Sequence, residues 1–250
     1  MTDDLLRQRM MERLLAAQSP WGRWRLRAYA QWKRLAWLLV VGGALGIKRA
    51  LDIAIALLAL LALSPLLAVI ALVIKLDGGP ILFRQTRIGL LGREFKMLKF
   101  RSMVVDAESR LKDLLAFNET HAGITFKMKN DPRVTRMGRL LRASSLDELP
   151  QFWNVLRGEM SLVGPRPPLP REVALYSQRD RRRLLVRPGI TCLWQVGERE
   201  GGLLEIGHRH NIEFHEQVEL DVRYIESQSF WSDLRILAKT VPAILFGRPQ

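Results

Sequence analysis

The 250-residue chain has a single cysteine, Cys192, which excludes an internal disulfide and any thiolate-rich zinc site. It is short of acid: 25 Asp and Glu stand against 39 Lys and Arg, for a net charge of +14. That excess requires an anionic partner, and nucleic acid, anionic lipid and phosphorylated small molecules all fit it. It is spread along the chain, however; no short Lys/Arg block resembles a nucleic-acid tail, and there is no nucleic-acid motif, so no nucleic acid is expected as a partner. His208, His210 and His215 fall at a spacing that matches no common metal-ligand set and read as surface or core side chains. Internal repeats and low-complexity tracts are absent. A cleaved signal peptide is not expected either, because the first apolar run starts late, follows a long charged segment and lacks a small-residue cleavage site.

Charge is missing altogether between Asp52 and Lys75. As a helix, Ile53 to Ile74 would extend roughly 33 Å, enough to cross a hydrocarbon core. Two features argue against a plain span. Ser64-Pro65 falls near its middle, where proline removes a backbone donor and crowds the carbonyl of Leu61. Both flanks are basic, with Lys48 and Arg49 before the run and Lys75, Arg84, Arg87, Arg93 and Lys96 after it, whereas a span should show an asymmetry. A re-entrant hairpin that bends at Ser64-Pro65 leaves both flanks on the cytoplasmic face. Upstream, Trp21, Trp24, Trp32 and Trp37 alternate with Arg23, Arg25, Arg27, Lys33 and Arg34, a pattern suited to a helix lying among anionic headgroups. The alternative is that residues 21–47 form a longer, tilted anchor.

Past Lys75 the pattern becomes globular. Gly78-Gly79-Pro80 marks a turn before a strand over 81–85, and Gly89 and Gly92 bracket the turn into a returning strand over 95–101. In that strand Phe95, Met97, Lys99 and Arg101 share one face, running from apolar to basic. Residues 103–117 have helical spacing, and helices are expected at 170–185, 209–226 and 230–246. Asp147 or Ser145 is placed to cap a helix ending near Gly158. The stretch from Leu162 to Pro168 is too rich in Gly and Pro for anything but loop. The fold class is helix-rich α+β with a small antiparallel β element, in three segments: 1–47 interfacial, 48–75 re-entrant, and 76–250 catalytic.

The chemistry concentrates at Asp147-Glu148. Adjacent carboxylates at a helix start have an ordinary explanation, a capping box from Ser145 to Glu148 that also opposes the macrodipole. But Arg133, Arg136, Arg139 and Arg142 precede them within a few residues, and arginine offers phosphate a planar, bidentate fit. A carboxylate pair beside an arginine cluster can hold a divalent cation together with a diphosphate. Cys192 reads as a small buried residue rather than a reactive thiol. The amphipathic stretch Phe230 to Leu237 suits either the bilayer surface or the core.

The run SLDELPQFWNVLRGEMSLVGPRP, Ser145 to Pro167, closely resembles the signature of the bacterial sugar transferase family, the monotopic polyprenyl-phosphate phosphoglycosyl transferases. Further matching stretches are Lys48-Arg49 with Asp52, Ser64-Pro65, Gly79-Pro80 with Phe83-Arg84-Gln85, Lys99 to Met103, Asp131-Pro132-Arg133, Arg187 to Thr191, and Leu220-Asp221 with Tyr224. They cover roughly residues 48–245 in consistent order.

The resemblance implies an inner-membrane enzyme, facing the cytoplasm, that moves a sugar-1-phosphate from a UDP-sugar to a polyprenyl phosphate and releases UMP. This would be the first step of exopolysaccharide, capsule or O-antigen synthesis. It makes Asp147 the nucleophile, Glu148 its catalytic neighbour and both of them ligands of Mg²⁺. Arg142, Arg166, Lys99, Arg133 and Arg187 fall at substrate-binding positions, Ser64 and Pro65 at the membrane break, and Lys48, Arg49 and Asp52 at the membrane boundary. It is also compatible with a homodimer. Cys192 departs from the family pattern, where glycine usually stands, and residues 197–208 fit it poorly. A catalytically silent scaffold for polysaccharide assembly would need the hairpin and the basic surface, but not Asp147, Glu148 and Arg142 together.

Overall fold

The computed structural model describes residues 18–114, 131–196 and 214–246, with positions 11, 15, 128, 198, 199, 202 and 203 besides. His208, His210 and the poorly fitting stretch 204–208 lie outside the described residues. The chain divides into two compact units, Met1–Leu51 and Asp52–Gln250.

In the first unit, α1 (Pro20–Leu76) begins behind Ser19, whose hydroxyl accepts from the Gly22 N–H at 2.9 Å. At helical spacing Trp21, Trp24, Trp32 and Leu35 fall on one stripe, and all four are exposed. The Trp21 and Trp24 rings stack at 5.0 Å. Between Pro20 and Arg49 the helix contains no acidic residue.

Within α1, Gly42–Leu76 is long and apolar enough to cross a membrane, with mean hydropathy 2.9. The chain stays helical through Ser64-Pro65. Proline takes away the N–H that would have bonded the Leu61 carbonyl, and the Ser64 hydroxyl donates to that same oxygen at 2.8 Å. The helical path therefore survives the proline. Leu57, Leu58, Leu61, Leu66, Val69 and Leu72 are all exposed around it.

From Asp52 on, the helix is part of the second unit and packs within it on both sides of the proline. Before the proline, Ala56 is fully buried in a cluster with Phe95, Met97, Val155, Met160 and Leu162. After it, Ile70 and Ile74 join Phe100 and Leu141. Asp52 accepts from the Ser161 hydroxyl at 2.7 Å and from the Leu162 N–H at 3.1 Å. Near the other end, Arg101 donates to the Ile74 carbonyl at 3.0 Å. Asp52→Ala would strand a buried hydroxyl and a buried N–H. We expect a loss of about 2 kcal/mol, seen as a lower thermal midpoint in detergent.

The antiparallel pair β1 (Leu82–Ile88) and β2 (Glu94–Phe100) pairs Leu82 with Phe100 and Ile88 with Glu94. Phe95 and Met97 point into the core while Lys99, on the same face, reaches the carboxylate pair. α2 covers Ala107–Leu114 of the expected 103–117. α3 (Arg136–Ala143) is capped by Thr135, whose hydroxyl accepts from Gly138 at 2.8 Å. α4 (Gln151–Arg157) ends on Gly158 at φ 83°, the left-handed position that suits glycine.

Two expectations need correction. The stretch read as pure loop begins with β3 (Ser161–Val163), which pairs in parallel with β4 (Gly189–Thr191), so the small β content is not all antiparallel. Three buried residues with no flanking alternation leave too short a signal to read. The helix expected over 170–185 is two pieces, α5 (Pro170–Ala174) and a 3-10 turn, Asp180–Leu185. α6 (Phe214–Glu226) and α7 (Phe230–Phe246) close the fold. α7 buries Ile236 in the core and leaves Phe230, Trp231 and Leu234 exposed.

Candidate active site

Asp147 and Glu148 lie on a 3-10 turn, Leu146–Glu148, between α3 and α4. Ser145 does not form the expected capping box. It sits at φ 55°, ψ 16°, without a side-chain cap bond. This left-handed serine reverses the chain, a strained conformation of the kind that collects at functional sites. Pro150 is the N-cap of α4, where its missing donor costs no helix bond. The carboxylates therefore precede the α-helix proper instead of occupying its first turn.

Asp147 is buried, with 7% of its surface exposed. Lys99 Nζ lies 2.6 Å from Glu148 Oε1 and 3.9 Å from Asp147 Oδ2, one cation serving two anions. The two carboxyls respond differently. Burial pushes Asp147 above the ordinary carboxylate range; Lys99 opposes it, Glu148 adds to it, and Arg142 opposes it. Burial also acts to raise Glu148, but Lys99, Arg166 and Arg87 outweigh it and hold that group below its usual value. Neighbouring carboxyls pushed apart in this way commonly take different roles.

Arg142 is brought to the site by close packing of α3. A Cβ on Gly138 would stand 1.9 Å from the Ser102 carbonyl oxygen, so only glycine lets α3 press there. The Thr135 N–H donates to that same oxygen at 3.1 Å, and Arg142 Nε donates to the Ser102 hydroxyl at 2.9 Å. Burial lowers the Arg142 pKa, against the pull of Asp147 and Asp131. Arg133 is committed to Asp131, whose carboxylate takes its Nη2 at 2.6 Å and its Nε at 2.9 Å. The charges of both partners act on Arg142.

Arg166 is exposed on the Gly-Pro loop, and its charge helps hold Glu148 ionised. The loop is fixed by backbone: Ile88 N–H to the Pro168 carbonyl at 2.9 Å, and Gly189 N–H to the Pro165 carbonyl at 2.9 Å. Arg87 was not expected here, having been read only as part of a basic flank. It is buried and donates to the Pro167 carbonyl at 2.8 Å; burial, and then Arg166, bring its pKa down to about 10. The strand expected to end at residue 85 runs on, as β1, to Ile88 and includes Arg87. Arg166 also borders a cavity with Glu172, Tyr176, Arg183, Phe214 and Gln217. Arg183 makes a buried ion pair with Asp221 at 2.6 Å.

The remaining expected positions lie elsewhere. Arg187 is exposed and donates to the Gly158 carbonyl at 3.0 Å. Ser64 and Pro65 are on the exposed apolar helix, and Lys48 and Arg49 belong to the first unit. Cys192 is buried, and burial pushes its thiol well up, away from reactivity. His215 is exposed and lies 3.3 Å from Glu219.

Among the described residues no group of three or more His, Cys, Asp and Glu could hold a metal alone. Mg²⁺ does not need one: it is commonly held by one or two carboxylates plus substrate phosphates. Asp147 and Glu148, with their negative charge partly buried, fit that role.

The chain matches the bacterial sugar transferase family over residues 44–247 and belongs to it. It is 46% identical over 200 residues to the galactosyl transferase CpsE of Streptococcus agalactiae, covering 80% of this chain and 42% of that one. It is 42% identical over 205 residues to the exopolysaccharide production protein ExoY of Sinorhizobium fredii, covering 80% and 86%. A third relative is the UDP-glucose:undecaprenyl-phosphate glucose-1-phosphate transferase of Caulobacter vibrioides, 43% identical over 203 residues, covering 79% and 69%. The matched part of this chain spans about two-fifths of the length of the streptococcal relative and of others like it.

Proposed function

We propose that this protein transfers a sugar-1-phosphate from a UDP-sugar to undecaprenyl phosphate, opening the synthesis of a cell-surface polysaccharide. The observation that carries this reading is the Lys99-bridged Asp147/Glu148 pair, with the charge of Arg142 acting on Asp147 and that of Arg166 on Glu148. Relatives whose names state sugar-phosphate transfer to undecaprenyl phosphate support it.

In the proposed reaction an Asp147 carboxylate oxygen attacks the phosphorus that carries the sugar. A phosphorus–oxygen bond forms, the bond to the UMP oxygen breaks, and UMP leaves with that electron pair. Arg142 and Arg166 hold the diphosphate oxygens, and Lys99 neutralises the dyad that would otherwise repel them. In the second half, an oxygen of undecaprenyl phosphate attacks the same phosphorus and Asp147 is released as carboxylate. Glu148, held ionised, takes whatever proton that phosphate still carries. Mg²⁺ on the two carboxylates would supply charge neutralisation for the diphosphate.

The membrane part follows the same reading. A spanning helix has its ends on opposite sides of a bilayer, yet Asp52 and Ile74 are both hydrogen-bonded to one globular unit. That supports a segment that enters and returns on the cytoplasmic side, with the exposed leucines around Ser64-Pro65 in lipid. The acid-free helix upstream, with its exposed tryptophans, is suited to anionic headgroups, and a homodimer is compatible with the same surface.

Purified protein incubated with a panel of UDP-sugars and Mg²⁺ should release UMP from one or two of them and gain the mass of the corresponding phosphosugar. A properly folded preparation that released no UMP from any donor would point to the silent scaffold instead.

A further inference from the structure

Asn154 is completely buried. Among the described residues β2 has β1 along one edge only. The Arg101 N–H donates across that edge to the Ile81 carbonyl at 2.9 Å, which sets the ladder bonds at alternate residues counted back from Arg101. Leu98 and Lys96 therefore turn their backbone groups to the other edge, where no strand of the described residues lies. Asn154 takes the place of one. Its Oδ1 accepts from the Leu98 N–H at 2.9 Å and its Nδ2 donates to the Lys96 carbonyl at 2.9 Å. A second Nδ2 bond, to Glu159 Oε2 at 2.6 Å, fixes which end of the amide faces which partner.

The geometry closes a ring. Asn154 is on α4, one helix start beyond the carboxylate pair; it grips β2 at residues 96 and 98; and β2 presents Lys99, which returns to Glu148 and Asp147. We infer that Asn154 is a positioning residue of the transfer reaction, its carboxamide standing in for a third strand that locks β2 in register and holds Lys99 on the two carboxylates. This rests on the phosphosugar-transfer reading for its kinetic consequence, but not for its structural one. Aspartate keeps the acceptor for Leu98 but loses both donors, and alanine leaves the Leu98 N–H and the Lys96 carbonyl, side by side on that edge, unbridged.

The test uses the full-length protein in detergent. Acylation of Lys99 by a water-soluble succinimidyl ester is followed by mass spectrometry, with exposed Lys33 as the internal reference. In Asn154→Ala, Lys99 should label about five-fold faster or more while Lys33 is unchanged, because a displaced ammonium is no longer held by Glu148. UMP release should fall in kcat by about 10- to 100-fold, the scale expected for a small misplacement of a reacting group, with KM for the UDP-sugar nearly unchanged. Asn154→Ala combined with Lys99→Met should be no slower than Lys99→Met alone, since both act through one ammonium. Unchanged Lys99 labelling in the folded variant, or losses that simply multiply in the double variant, would overturn the inference. If Asn154→Ala does not fold, Asn154→Asp retains the Leu98 bond and should show the same labelling change at smaller size. Should Lys99 respond as expected in a protein that releases no UMP, the positioning stands and the transfer reading fails.

Discussion

Asp147→Asn is expected to abolish turnover: UMP release should fall by about a thousandfold or more and the phosphosugar adduct should vanish, because a carboxamide cannot form the acyl phosphate. The shape of the side chain is unchanged, so its packing beside Leu146 and Lys99 should persist. The variant should also be no less stable than the parent. Burial raises the Asp147 pKa in the folded state, so the folded protein favours the protonated form, and stability is lost as pH rises from the unfolded carboxyl range through the raised value. Asparagine removes that penalty. A thermal midpoint at neutral pH equal to or above that of the parent, together with loss of the adduct, separates a missing nucleophile from a damaged fold. An active Asp147→Asn enzyme would dismiss the assignment.

Lys99→Met is the second large effect. Lys99 lowers both carboxyl pKa values against burial. Without it, two neighbouring carboxylates in a partly buried site cannot both stay ionised readily, and the pair keeps a proton to higher pH. Because the attacking group must be ionised, the acid limb of the pH–rate profile should move to higher pH. Rates at neutral pH should fall by about 100-fold, with partial recovery as the buffer is made alkaline. A uniform loss with an unmoved limb would place Lys99 on the substrate instead of on the dyad.

These two residues show what the sequence made readable. Strand alternation placed Lys99 on the face of Phe95 and Met97, and the structure finds it there, carried from the core to the carboxylates. The dyad itself stood out as two acids next to a run of arginines. What the sequence did not disclose was conformation held by contacts from far along the chain. The left-handed Ser145 turns a plausible capping box into a 3-10 turn, and nothing local to residues 145–148 specifies that. Arg133, in the same basic run as Arg142, is held by Asp131 two residues before it, whereas Arg142 depends on Ser102 and on the space at Gly138. Spacing alone could not tell these arginines apart. Arg87 and Asn154 were silent for a related reason: each bonds to backbone groups more than fifty residues away in sequence, and a main-chain partner leaves no mark in composition.

The ties from Asp52 to Ser161 and Leu162, and from Arg101 to the Ile74 carbonyl, have an implication for biogenesis. Hydropathy by itself would let the segment between them thread the bilayer as an ordinary anchor. On the proposed topology, tertiary structure and not lipid preference decides that it turns back. A nascent chain whose downstream part fails to fold would have no clasp at either end and would be free to settle in the crossed orientation, delivering Lys75 and everything after it to the wrong compartment.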